Sequence, residues 1–200
     1  MSSVSNNMSG FLHTYEAYRI PKGHEALEAK NAELVKPVMY ICQPAEELEL
    51  FGTVDGAVCM LDSLNHITDY NNFKRAIART ALFLEQGRLF IFDLNTPHKH
   101  KNVLGDNGFR IKKGNVRCMW SNYYSPENNT VKIHLDFSVR KGLFSLELYS
   151  EEFSERTFSD EEINEALKEA GLELIAVYGE NSFDAPRADS ERNIYITRRI

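Results

Sequence analysis

Two short apolar runs with an amphipathic segment between them constrain this chain more than any other feature. Ala57-Val58-Cys59-Met60-Leu61 and Leu89-Phe90-Ile91-Phe92 are unbroken by polar residues, as expected of strands buried on both faces. Between them Phe73, Ala76, Ile77, Thr80, Ala81 and Leu84 recur at helical spacing and form one apolar stripe. Thr68 or Asp69 stands where that helix would be capped, and Gly87 suits the turn after its end. Strand, helix and strand of these lengths make a βαβ unit, with parallel neighbouring strands and a right-handed crossover. The two runs end in polar segments, Asp62-Ser63 and Asp93-Leu94-Asn95-Thr96. Ligands of open α/β sheets bind beyond the carboxyl ends of the strands, so chemistry is expected at these two segments.

Upstream, residues 1–10 are rich in Ser and Asn and read as disordered or loosely attached. Residues 11–20 read as a strand, 24–35 as a helix and 38–42 as a short strand, with Pro21 and Pro37 as breaks. Pro44-Ala45-Glu46-Glu47-Leu48 is a loop or a single helical turn. Downstream of Pro97 the period changes to two. Val131, Ile133, Leu135, Phe137 and Val139 share one face of a strand, opposite Lys132, His134, Asp136, Ser138 and Arg140. Residues 116–124 precede this strand across Ser125-Pro126-Glu127-Asn128-Asn129. Phe144, Leu146 and Leu148 follow it across Lys141-Gly142, giving a meander of three or four strands. Ser159 with Glu162 three residues on is a capping box, and Ile163, Ala166, Leu167 and Ala170 are the buried stripe of the helix it starts. Residues 172–178 and 193–199 are two final strands.

Composition narrows the partners. The net charge of -6 is spread in small acidic groups with no basic stripe, so nucleic acid is not an expected partner. No apolar run is long enough to span a bilayer, and the N-terminus lacks the apolar core of a secretory signal. Three cysteines, Cys42, Cys59 and Cys118, form no CxxC and no metal-ligand pattern, and Cys59 reads as a small core residue. His98 and His100 have no acid or cysteine nearby at ligand spacing, so no metal is expected. A reducing cytoplasm is the expected location. The 200 residues suggest a single domain over 1–200, with a β-rich insertion over 105–157.

The order of these elements, with Val54-Asp55-Gly56-Ala57-Val58-Cys59-Met60-Leu61-Asp62-Ser63-Leu64-Asn65-His66-Ile67 and Gly87-Arg88-Leu89-Phe90-Ile91-Phe92-Asp93, resembles the fourth and fifth strands of class I S-adenosylmethionine-dependent methyltransferases. Leu104-Gly105-Asp106-Asn107-Gly108-Phe109, Trp120, Glu155-Arg156-Thr157-Phe158 and Ser190-Glu191-Arg192 are similar to a bacterial branch with an antiparallel lid after the fifth strand. The resemblance implies an α/β fold: a Rossmann-like, mostly parallel sheet with helices on both faces and an antiparallel β-meander insertion. It implies methyl transfer from S-adenosylmethionine to a small-molecule acceptor. In that family a glycine-rich turn after the first strand, an acid ending the second and an acid after the third hold the cofactor. This chain has no such glycine turn before Val38. Pro21 stands where the ribose acid would be and Pro44 where the adenine acid would be, and proline offers neither a carboxylate nor an N–H. The first strand and its glycine-rich turn are expected to be absent, and S-adenosylmethionine to bind weakly or not at all.

The resemblance assigns Gln43, Ala45, Met60 and Leu61 to what remains of the cofactor site. Asp62 would face the transferred methyl group and help the acceptor, and its alternative role is a turn cap shared with Ser63. Asn65 would line the same mouth, with His66 beside it. Trp120, Tyr124, His134, Tyr149 and Arg156 would line an acceptor pocket under the lid, or else the aromatics among them simply cover the sheet as core. Asp93 and Asn95 would hold the turn that follows them. The rival to an enzyme is a non-catalytic binding protein, paired as a homo- or hetero-oligomer through a sheet edge left bare by the missing strand, or a truncated product.

Overall fold

The computed structural model describes residues 41–142 and 145–200. The expected elements at 11–20 and 24–35, all but the last two residues of the strand at 38–42, the missing first strand and Phe144 lie outside the described residues. The chain runs through a short 3-10 turn, Ala45–Glu47, to strand β1, Val54–Cys59. A second 3-10 turn, Ser63–His66, leads into helix α1, Tyr70–Phe83, and then strand β2, Leu84–Asn95. A π-helical turn, Lys99–Leu104, precedes four strands: β3 Gly108–Lys113, β4 Val116–Ser125, β5 Thr130–Arg140 and β6 Leu146–Arg156. Helix α2, Asp160–Glu169, and strands β7, Leu172–Gly179, and β8, Arg192–Arg199, complete the fold.

β1 and β2 are parallel, paired from Gly56 with Leu89 to Cys59 with Phe92. The register breaks between Val54 and Gly56, opposite a stretch of β2 where Gly87 takes φ +77° and lets the chain leave the helix. The sheet order is β1-β2-β8-β7, and β8 is antiparallel to both neighbours. The described part of the sheet is therefore mixed rather than mostly parallel. β8 returns from β7 through a loop with no crossover helix, which dictates an antiparallel pair.

Both helices pack on one face of this sheet. Phe73 and Phe158 stack with ring centres 3.9 Å apart, and Phe92 stacks on Tyr195 at 5.0 Å. Ile77, Leu84, Ile163 and Leu167 fill the space around them. Asp69 caps α1 by accepting the Asn72 N–H at 2.9 Å, and Ser159 with Glu162 forms the expected reciprocal box at α2.

One expectation for the core fails. β1 stops at Cys59, and Met60 and Leu61 are exposed, as is Leu89. Among the described strands β1 has a neighbour on one side only, and Leu61 belongs to a turn rather than to the sheet.

β3 to β6 form a separate antiparallel sheet in sequential order, the lid. Val131 and Ile133 are buried on its inner face, with Phe109, Trp120, Tyr124, Leu135 and Phe153 packed around them and Leu104 beneath. Burial fades along β5, so Leu135, Phe137 and Val139 are only half-buried.

Candidate functional site

The site is built where the carboxyl ends of β1 and β2 meet. After Cys59 the chain turns through Leu61 and Asp62, both left-handed at φ 62° and 54°. Neither is glycine, so the turn needs outside support. Asp93 of β2 supplies it: its carboxylate accepts the N–H of Leu61 at 3.0 Å and of Asp62 at 2.7 Å. Arg192, at the start of β8, donates to the same carboxylate at 3.0 Å and lies 3.5 Å from Asp62. Burial pushes the Asp93 carboxyl above its ordinary range, opposed by the Asp62 N–H, the Arg192 charge and the Leu61 N–H. Asp93 thus secures the end of the neighbouring strand, not the turn after itself. That following turn is held by Thr96, whose hydroxyl accepts the Lys99 N–H.

Asn95, two residues on and on the same face as Asp93, is also buried. Its Nδ2 donates to Asp62 Oδ2 at 2.8 Å and to Glu155 Oε2 at 3.0 Å, while its Oδ1 accepts from Lys99 at 2.9 Å. Glu155 comes from lid strand β6 and is 4% exposed. It also meets His100 Nε2 at 3.2 Å and lies 3.8 Å from His66 Nε2. Burial alone would raise the Glu155 carboxyl. The His100 hydrogen bond, the two imidazoles and the Asn95 amide outweigh it, and the net shift is downward. One buried glutamate therefore gathers groups from β2, the π-helical turn and the 3-10 turn after β1.

The expected site residues separate into three groups. Asp62 sits at the mouth, as a turn residue and as a carboxylate whose oxygens face Asn95 and Arg192, so both readings of it hold in part. Asn65 does not line the mouth: it is fully buried, bonded to both backbone groups of Asn95 and, at 2.8 Å, to the carbonyl of Arg156. Arg156 pairs with Glu162 at 2.5 Å and lies over the rings of Phe158 and Tyr70, which makes it the joint between lid and α2.

The lid residues are not gathered into one pocket. Trp120 donates to Asn122 and packs edge-on against Phe109 in the lid core, and Tyr124 packs beside it. Tyr149 is on that inner face but exposed, bonded to Glu147. His134 alternates to the outer face, where it meets Asp136 and Glu152.

Of the remaining cofactor residues, Gln43 donates to the carbonyl of Glu49, Ala45 packs on the main core, and Met60 and Leu61 present exposed apolar surface. Burial, with the Asp93 charge, pushes the Cys59 thiol up to about 12, so it is no nucleophile near neutral pH.

Sequence reasoning passed over Glu155, His100, Lys99 and Arg192 as site residues. A usable signal existed for Glu155, which falls on the same lid face as Val131 and Ile133. A charge at an inward position demands a buried partner. Among the described residues no group of three His, Cys, Asp or Glu side chains could hold a metal, and no helix is long and apolar enough to cross a membrane.

No family model matches the chain. A protein of Geobacillus sp. (strain WCH70) named "Putative methyltransferase GWCH70_2453" is 24% identical over 172 residues, 86% of this chain and 70% of the relative. "Putative methyltransferase YqeM" of Bacillus subtilis (strain 168) is 26% identical over 158 residues, 78% of this chain and 64% of the relative. The crystal structure of an S-adenosylmethionine-dependent methyltransferase from Clostridium acetobutylicum ATCC 824 matches with a TM-score of 0.82 and 27% identity, over 90% of this chain and 72% of that one. The chain thus spans about two thirds of each relative's length. With the strand-end turn and the order β1-β2-β8-β7, the chain has the fold of an S-adenosylmethionine-dependent methyltransferase and is similar in sequence to relatives named putative methyltransferases.

Proposed function

We propose that this chain is the acceptor side of a small-molecule methyltransferase, with a degenerate cofactor site. The observation that carries this reading is the Leu61-Asp62 turn. Its strained backbone is stabilised by a buried carboxylate from the next strand, and it holds Asp62 beneath the lid strand that bears Glu155. A carboxylate fixed in this way can accept the N–H or O–H of an acceptor and orient its lone pair. In methyl transfer, positioning supplies most of the rate.

The described residues fit the apolar parts of S-adenosylmethionine and not its polar ones. Met60 and Leu61 offer packing for an adenine or a thioether. The N–H groups of Leu61 and Asp62 are already taken by Asp93, Gln43 is turned to the Glu49 carbonyl, and Pro44 opens the turn at 45–47 without a side-chain hydrogen bond. Both carboxylates at the mouth face cations or amides of the protein itself. No methyl-transfer step is therefore derived through the cofactor. Calorimetric titration of the folded chain with S-adenosylmethionine and S-adenosylhomocysteine tests the reading, with no saturable heat expected at micromolar concentrations. Binding at about 10 μM or tighter, roughly -7 kcal/mol, would mean an intact cofactor site and an active enzyme.

One observation favours a second reading, that of a non-catalytic partner protein. β1 has a strand neighbour on one side only among the described residues, so a homo- or hetero-oligomer could form along its other edge. Neither reading calls for nucleic acid or a membrane. None of the three cysteines forms a disulfide, which suits the reducing cytoplasm we propose as its location.

A further inference from the structure

We propose that Asn95 is a positioning residue that ties lid strand β6 to the Asp62 carboxylate, one amide hydrogen to each, while Asp93 holds the backbone of the same turn. The assignment of its amide is forced by its partners. Lys99 can only donate, so the atom facing it is the oxygen; two carboxylates can only accept, so the atom facing them is the nitrogen. Each Nδ2 hydrogen thus goes to a different structural unit, one to the turn after β1 and one to the lid. The backbone of Asn95 is pinned as well, its N–H given to Asn65 at 2.9 Å and its carbonyl accepting from Asn65 at 3.4 Å. Asn65 reaches on to the Arg156 carbonyl, next in sequence to Glu155. The Asn95 residue is 3% exposed, so its amide cannot swing away without giving up its bonds to Asp62 and Glu155 in a site closed to solvent.

The groups facing the joint are Asp62, Asp93 and Arg192 from the sheet, Lys99 and His100 from the π-helical turn, His66 from the 3-10 turn and Glu155 from the lid. Three of these are carboxylates, and a neutral double donor is what lets two of them share one neighbour. The role given to Asp62 rests on the methyltransferase reading; the coupling does not, and it is measured without cofactor or acceptor.

Asn95→Asp keeps the shape and replaces the double donor by a further carboxylate. Hydrogen exchange of the β6 amides and of the Leu61 and Asp62 amides reads the two halves of the lock. Near neutral pH the variant should lose about tenfold or more of its protection at residues 150–156, with β2 and β8 retaining theirs, and exchange at the Leu61 and Asp62 amides should rise. The rescues should be unequal. Glu155→Gln in the Asn95→Asp background gives the new carboxylate an amide donor on the lid and should restore β6 protection. Asp62→Asn in that background leaves the new carboxylate facing Glu155 and should not. Equal rescue by both would mean a general charge burden on the fold and would overturn the proposal, as would unchanged β6 protection in Asn95→Asp. Should Asn95→Asp not fold, Asn95→Ser adds no charge and has one hydroxyl hydrogen for two acceptors. Loss confined to the lid then supports the lock, and equal loss in β2 and β6 refutes it.

Discussion

The sheet-and-helix half and the lid are held together by different means. In the first, α1 and α2 lay a continuous apolar layer on one sheet face, and Phe73, Ile77, Leu84 and Phe92 are sealed from solvent. Among the described apolar residues of the lid strands only Val131 and Ile133 are comparably buried, with Leu104 of the π-helical turn beneath them. The lid strands are bound by long antiparallel ladders, β4 to β5 and β5 to β6, and the attachment of the lid to the rest combines polar groups at Glu155 and Arg156 with the Leu104 side chain and the Phe153 ring against His66. Apolar packing is non-directional and tolerates small shifts, whereas hydrogen bonds of fixed length give one seated position. A lid fixed by directional bonds at one end and thinly packed at the other can loosen while the sheet beneath it stays intact.

The strongest test of that contrast is a pair of core truncations. Phe73→Ala removes the ring stacked on Phe158 and should cost about 3–5 kcal/mol, with protection lost in both halves. Ile133→Ala should cost about 2 kcal/mol or more, concentrated in β4 to β6, with β2 and β8 little changed. Urea melts followed by hydrogen exchange of each strand separate the two. A collapse of β2 protection in Ile133→Ala as complete as in Phe73→Ala would show one cooperative core instead of two.

How much of this could be read from residues alone divides along the same line. The stripe of α1, the Ser159 box and the inward face of β5 follow from local periodicity and capping, and they stand where periodicity places them. What escaped was the identity of partners distant in sequence. Asp93 looked like a residue guarding its own turn, yet its carboxylate serves residues 61 and 62, some thirty positions earlier. Asn65, next to the expected mouth, turned inward to the backbone of residues 95 and 156. His134 and Tyr149 both looked like pocket residues, but the ladder register puts them on opposite faces. Period-two alternation shows that faces differ; which face meets the sheet is decided by packing between units.

The two buried carboxylates sharpen the comparison through pH. Glu155, on the lid, has its carboxyl held below the ordinary 4.5 despite burial, by His100 first, then His66 and Asn95. Its stabilisation is therefore present above the unfolded value and is lost as pH falls through the folded one. Asp93, in the sheet, is raised above 3.8 by burial, so its contribution is fully present below the unfolded value and is lost as pH rises through the folded one. Acid should thus release the lid before the sheet. As pH falls below about 4.5, protection in β6 should fall while β2 holds, and Glu155→Gln should flatten that fall. A simultaneous loss in both halves would mean that Glu155 does not govern the attachment.

The smallest expected effect concerns the two helix caps. Asp69 at α1 accepts one N–H, from Asn72, and Arg156 meets this end of α1 at the Thr68 carbonyl and the Tyr70 ring rather than at the Asp69 carboxylate. At α2 the Ser159 hydroxyl accepts the Glu162 N–H at 3.2 Å, Glu162 accepts the Ser159 N–H at 2.9 Å, and its other oxygen takes Arg156 at the end of β6. Ser159→Ala and Asp69→Ala each remove one acceptor for a first-turn N–H, and each should cost about 1 kcal/mol in denaturant melts. The distribution of that loss should differ. Without the Ser159 hydroxyl the Glu162 backbone is freed, its side chain loses its fixed origin, and the clasp on Arg156 weakens with it. Ser159→Ala should therefore also lower exchange protection at the end of β6, where the Thr157 N–H is bonded to the Asn129 carbonyl at 3.0 Å. Asp69→Ala should leave that region as it was. Matching losses in β6 for the two variants would place the α2 cap outside the lid attachment and leave Glu155 and Asn95 to carry it alone.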